Sequence, residues 1–200
     1  MFLNRHVAIR LSSAAAARLV EHTNAGRWDR VSMLLSASES SEQPAHHLTY
    51  AYSPESERLL LESITTLLNA DRAWDACALC ANLAVRNPPT LMTVLDATLR
   101  SDGVSRDDCS VMLENLITSI SEVTGQYPIE PLWSALVESA SADRALTVGS
   151  SLVSCIRRRR DADEVIRRLS MLAAKRGDAA KLANALLFTM RLRSAMFRMA

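Results

Sequence analysis

The sequence predicts an all-α fold, a helical-hairpin array (α-solenoid) of about ten helices in five hairpins, and three observations predict it. Five short turns of one chemical type recur, each followed by an apolar run at helical spacing. They are Ala25-Gly26-Arg27-Trp28-Asp29, Ala70-Asp71-Arg72-Ala73-Trp74-Asp75, Ser101-Asp102-Gly103, Ala142-Asp143-Arg144-Ala145 and Arg176-Gly177-Asp178-Ala179. Their first residues are separated by 45, 31, 41 and 34 positions, the spacing of stacked helical hairpins. Nearly everything else has helical apolar period, and the one strand-like stretch, Leu48-Thr49-Tyr50-Ala51-Tyr52, is too isolated to build a sheet.

In chain order, residues 1–35 read as an N-terminal hairpin whose first 20 residues overlap a leader-like segment. A polar linker, 36–53, follows, with Ser36-Ala37-Ser38-Glu39-Ser40-Ser41-Glu42-Gln43-Pro44 at its start. The helical-repeat domain is then 54–200. Its first helix opens at Ser53-Pro54-Glu55, an N-cap, a first-turn Pro and an early acid, and continues through Leu59, Leu60, Ile64, Leu67 and Leu68. Breaks at Asn87-Pro88-Pro89, Gln126-Tyr127-Pro128 and Asp161-Ala162-Asp163 divide the rest into hairpins at 54–87, 89–126, 128–161 and 162–200. A two-helix unit cannot bury both of its apolar stripes alone, so each hairpin lends a face to the next. Trp28 and Trp74, each just after a recurring turn, and Trp133 are expected packing anchors.

Apolar residues make up 48% of the 200-residue chain and charged residues 22%, the composition of a chain that folds. The net charge of +1 hides an asymmetry: residues 51–150 carry six basic and fourteen acidic side chains, and 151–200 carry twelve basic and four acidic. The basic end is suited to a polyanion or an acidic protein surface. Arg5, Arg10 and Arg18, with Ser12, Ser13, an alanine run at Ala14 to Ala17 and no acid before Glu21, have the composition of a mitochondrial transit peptide. The expected location is the mitochondrial matrix; a plain amphipathic first helix is the other reading. No stretch reaches transmembrane length without charge.

The pattern resembles the pentatricopeptide family, degenerate helical hairpins of about 35 residues that act in organelles. The resemblance is carried by Ser63-Ile64-Thr65-Thr66-Leu67-Leu68-Asn69-Ala70-Asp71-Arg72-Ala73-Trp74-Asp75-Ala76-Cys77-Ala78-Leu79, by Leu95-Asp96-Ala97-Thr98-Leu99-Arg100-Ser101-Asp102-Gly103-Val104 and by Leu19-Val20-Glu21-His22-Thr23-Asn24-Ala25-Gly26-Arg27-Trp28. It covers most of residues 14–190. Family members that read RNA do so with a polar residue early in each first helix. Here those positions are Ala16, Leu61, Met92 and Trp133, which cannot make bidentate contacts with base edges, so base-by-base reading is not expected.

The charged residues that could meet phosphate or an acidic partner are Arg157, Arg158, Arg159, Arg160, Arg167, Arg168, Arg191, Arg193 and Arg198. Four consecutive arginines on a helix fan around most of its circumference and cannot all face one ligand. The other reading is that they end a helix, where the macrodipole favours cations. Cys77 and Cys80 form the only Cys-x-x-Cys, and they read as small buried hydrophobes. His6, His22, His46 and His47 have no nucleophile or acid placed by spacing. No catalytic residue, cofactor, metal or small-molecule substrate is expected. The role that the pentatricopeptide resemblance implies is a non-catalytic scaffold subunit of a mitochondrial ribonucleoprotein assembly, such as a mitoribosome or RNA-processing complex, contacting proteins and, at its basic end, RNA backbone. Two alternatives are an accessory subunit of an energy complex, such as the ATP synthase catalytic head, and an independent single-stranded RNA binder.

Overall fold

The computed structural model describes residues 8–10, 13–27, 30, 33, 49–51, 54–83, 85–101 and 107–197. Nine helices lie among them: α1 Ser13–Asn24, α2 Pro54–Asn69, α3 Ala73–Leu83, α4 Pro88–Arg100, α5 Asp107–Thr124, α6 Ile129–Val137, α7 Ala142–Ser154, α8 Arg159–Ala173 and α9 Asp178–Phe197. The class is all-α, as the periodicity predicts. One small exception corrects the sequence reading. Thr49–Ala51 is not isolated but pairs in parallel with Ala8–Arg10, Ile9 opposite Tyr50. Ile9, Thr49 and Tyr50 are residues that suit a pleated ladder, and the partner segment lies far earlier in the chain, inside the leader-like stretch. Trp28, Arg198, His6, His46, His47 and the polar linker before Thr49 lie outside the described residues.

The chain divides into two compact units, residues 1–94 and 95–200, so the division falls within α4 and inside the range 54–200.

In the first unit, α1 packs on α2 and α2 on α3. The chemistry of the recurring turn is visible twice. After α1, Gly26 adopts φ +66, its N–H donates to the Thr23 carbonyl and the Arg27 N–H to the His22 carbonyl. After α2, Asp71 adopts φ +56, its N–H donates to Leu68 and the Arg72 N–H to Leu67. Both are the left-handed helix stop that satisfies otherwise orphaned terminal carbonyls, with Gly in one copy and Asp in the other. The following arginine pairs with a nearby acid each time, Arg27 with Glu21 at 2.8 Å and Arg72 with Asp75 at 2.5 Å. The core is Leu60, Ile64 and Leu67 of α2 with Ala76, Cys77, Leu79 and Cys80 of α3. Asn87 starts α4 as the sequence predicts: its side-chain oxygen accepts from the Thr90 N–H at 3.1 Å, and Pro88 and Pro89 occupy positions that need no donor.

In the second unit, α6 packs on α7 and α8 on α9, and α7 also touches both α5 and α9. The core runs through Leu113, Leu116, Ile117 and Ile120 of α5, Leu132 and Leu136 of α6, Val148 and Leu152 of α7, Val165 and Leu169 of α8, and Ala183 and Leu186 of α9. Gly149 is a contact point: a Cβ there would lie 2.7 Å from Leu186 Cδ1 and 3.3 Å from Leu136 Cδ1.

Helix ends in this unit are capped by side chains from distant positions. Arg144 of α7 donates to the Leu99 carbonyl at the end of α4. Arg158 donates to the Gly125 carbonyl just past α5. The Tyr127 hydroxyl donates to the Leu152 carbonyl in the last turn of α7 at 2.6 Å. Each satisfies carbonyls that a helix C-terminus leaves without an internal partner.

Two predicted boundaries are corrected. Ala142-Asp143-Arg144-Ala145 is the first turn of α7; the chain reverses just before it, and Ser141 is the N-cap, accepting from the Arg144 N–H at 3.2 Å. Asp161-Ala162-Asp163 is likewise no break but lies within α8, which starts at Arg159. Both segments place acids beside a helix N-terminus, where the macrodipole favours them, and that stabilisation reads in sequence like a turn signal.

Candidate functional site

The arginine run lies before and at the start of a helix, not at the end of one. Arg157 and Arg158 belong to the connection after α7, Arg158 is the N-cap residue of α8, and Arg159 and Arg160 occupy its first turn. The expectation that a C-terminal macrodipole holds these cations is therefore corrected. The C-terminus they serve is that of another helix: Arg158 reaches the end of α5, and Arg157 Nη1 pairs with Glu122 Oε1 of α5 at 3.2 Å.

Farther along α8, Arg167 grips Glu164 with two bonds, Nε to Oε2 at 2.9 Å and Nη2 to Oε1 at 2.7 Å. Arg168 is the convergence point. Its Nε donates to Glu164 Oε1 at 2.6 Å, its Nη1 to Glu130 Oε2 at 3.0 Å and its Nη2 to Glu130 Oε1, while its guanidinium lies over the Trp133 ring. Glu130 and Trp133 both sit on α6, so one side chain ties α8 to α6 through a forked ion pair and a stacked ring. The hydrogen bonds from Arg167 and Arg168 hold the Glu164 carboxyl down at about 2, and the bond from Arg168 lowers Glu130 below its ordinary value. Arg168 is pushed up in turn by Glu130 and then Glu164. Carboxylates so firmly ionised accept hydrogen bonds but are poor proton carriers near neutral pH.

The remaining predicted contacts are more open. Arg159 reaches Asp163 only at 4.0 Å with a side chain 95% exposed. Arg160 and Arg191 are exposed with no ion pair among the described residues. Arg193 lies on α9, and Arg198 lies outside the described residues. The structure thus splits the predicted patch. Arg157, Arg158, Arg167 and Arg168 have close partners in the fold, though all but Arg168 remain exposed, whereas Arg159 has only its long pair to Asp163, and Arg160 and Arg191 have no ion pair among the described residues. The acids that take them up were missed by sequence reasoning. Glu164 was readable, since it stands three and four residues before Arg167 and Arg168 on a helix; Glu130 and Glu122 carry no local signal.

The other candidates are structural. Trp133 is half-buried under Arg168, and Trp74 is half-buried at the start of α3 in the first unit. Cys77 and Cys80 are fully buried, and burial, with Cys77 beside it, pushes the Cys80 thiol far above its ordinary value, the state of an inert core cysteine. A cleft of about 240 Å³ is bounded by Gln126, Tyr127, Cys155, Arg157, Arg158 and Asp161, mixing both signs of charge, and its two arginines already bind Glu122 and Gly125. Among the described residues no group of three His, Cys, Asp or Glu side chains could hold a metal ion, and no helix is long and apolar enough to cross a membrane. Searches of protein-family models, curated proteins and solved structures return no match to this chain.

Proposed function

We propose that this chain is a non-catalytic helical-hairpin scaffold, a subunit that holds proteins in register within a large mitochondrial ribonucleoprotein assembly such as a mitoribosome or an RNA-processing complex. The observation that carries the scaffold reading is the use of polar side chains: the most conspicuous ones cap helix ends and tie helix to helix. A surface organised in this way supplies rigidity rather than reacting groups. The repeat reading is supported by the two equivalent helix stops at Gly26 and Asp71 and by α7 touching both α5 and α9. That series is expected when second helices of successive hairpins stack as a solenoid. The mitochondrial location rests on the Arg-, Ser- and Ala-rich, acid-free start of the chain.

The second reading is an accessory subunit docked by protein contacts on an energy complex such as the ATP synthase catalytic head. The internal pairing of Arg157, Arg167 and Arg168 favours it, because those cations already have carboxylate partners in the fold and Arg168 is largely covered. Affinity purification of the tagged chain from mitochondria, with and without ribonuclease, separates the two. The first reading predicts a large RNA-containing particle whose outlying members are lost after ribonuclease. Retention of one fixed set of energy-complex subunits under both conditions would overturn it and establish the second.

A further inference from the structure

Helix α9 is apolar on two sides. Ala180, Ala183, Leu186, Leu187 and Met190 are buried, whereas Phe188 and Leu192, one turn apart on the outer side, are 64% and 52% exposed. Ala185, a turn earlier on the same side, is exposed as well. Val111, Val137, Leu146 and Met171 are exposed one to a helix on α5, α6, α7 and α8. A continuous stripe of three positions on one helix is different in kind, having the spacing by which one helix receives another. In the same unit, α7 has α5 and α9 against it, while α9 has α7 and α8 and leaves the Ala185–Phe188–Leu192 face to water.

Charge says what kind of helix fits. Arg191 adjoins the stripe with no ion pair among the described residues. Helices α8 and α9 pack together across the turn at residues 174–177 and so run antiparallel, with Arg160 and Arg191 equally far from that turn, about 20 Å along each helix. The cation beside the stripe is therefore Arg191, and the start of α8, with Arg159, Arg160, Asp161, Asp163 and Glu164, stands at the same height along the helix pair, Asp163 engaged by Arg159. At the opposite end Lys181 is matched by Asp178 at 2.9 Å. Asp178 is also the only acid on α9, so a second copy paired through this face would bring Arg191 no carboxylate from that helix.

We propose that the Ala185–Phe188–Leu192 face of α9 docks one helix of a partner protein, a helix with an apolar stripe and acidic residues alongside it. This rests on the scaffold reading and names the surface through which the scaffold works. The shape is a helix laid along a helix, with Phe188 and Leu192 as the apolar anchors and Arg191 selecting the sign of the partner's flank.

The test uses the full chain and two dye-labelled peptides of about 18 residues, both with Leu at helical i, i+3, i+4, i+7 spacing, one with Glu and the other with Lys at the remaining positions. Fluorescence anisotropy should show the Glu peptide binding roughly tenfold more tightly than the Lys peptide at low salt. Phe188→Asp with Leu192→Asp should abolish that binding, and Arg191→Glu should invert the preference. Met171→Asp, an exposed apolar site on α8, should leave it unchanged, and helical circular dichroism should be the same for all four proteins. Equal binding of both peptides, no binding of either, or an undiminished Phe188/Leu192 variant would overturn the proposal. So would sedimentation showing a dimer that the same double substitution dissolves. None of these outcomes touches the ribonuclease result, which judges the scaffold reading separately.

Discussion

The Arg168 guanidinium carbon lies 5.9 Å from the centroid of the Trp133 ring. Arg168 belongs to the residues whose chemistry suggests phosphate, and Trp133 to those expected as packing anchors; the structure makes them one contact. With Glu130 held in the fork of the same guanidinium, the side chain faces inward to α6 and is not free to meet a ligand.

Arg168→Lys keeps the charge but removes both the planar fork and the stacked surface. Loss of the stacking alone corresponds to about 0.5–1 kcal/mol. Chemical denaturation should show the loss, and it should be smaller by that amount when Trp133→Leu is already present, since both substitutions remove the stacking while the fork to Glu130 is lost in either background. Equal losses with and without Trp133 would show that the ring takes no part.

Glu164 gives a pH signature. Its carboxyl is lowered from 4.5 to about 2 in the folded state by its bonds to Arg167 and Arg168. A depressed carboxylate contributes stability that is fully present above its unfolded value and is lost as pH falls toward its folded value. Thermal unfolding of the natural chain should therefore decline between pH about 4.5 and about 2 more steeply than that of Glu164→Gln, which lacks the titrating group. Parallel curves for the two proteins would remove Glu164 from the account.

Gly149→Ala opposes two effects. In a helix interior the change normally stabilises by about 0.5–1 kcal/mol. Here the new methyl meets Leu186 Cδ1 at 2.7 Å and Leu136 Cδ1 at 3.3 Å, and both leucines are buried. Overpacking costs about 1–3 kcal/mol, so net destabilisation is expected in urea titrations. Adding Leu186→Ala should produce a strongly non-additive double variant, the alanine methyl partly filling the space that the leucine leaves. A stabilised Gly149→Ala protein would mean that the close approach is not maintained in solution.

Much of the fold was legible because helices are local. The apolar period, Asn87-Pro88-Pro89 and the stops at Gly26 and Asp71 depend on neighbours within a turn or two, and the structure places helix ends there. The errors have one origin. Asp143 and Asp161 read as turn residues but stand in the first turn of a helix, because an acid before an apolar run means either, depending on which side of the cap it stands. The site was less legible. A run such as Arg157 to Arg160 advertises charge, but whether its members are already partnered depends on Glu122 and Gly125, more than thirty residues away. Pairing of Thr49–Ala51 with Ala8–Arg10 escaped for the same reason.

The central claim is that the arginines of the second unit chiefly serve the fold and that the chain docks through protein contacts. Titration of the full chain with a labelled single-stranded RNA across a range of salt tests this most directly, because each phosphate neutralised adds about −0.7 to the slope of log K against log salt. With Arg159, Arg160 and Arg191 the predicted arginines that lack a close partner among the described residues, the account predicts weak binding and a slope of about −2. Tight binding with a slope near −6, as roughly nine engaged arginines would give, would contradict it.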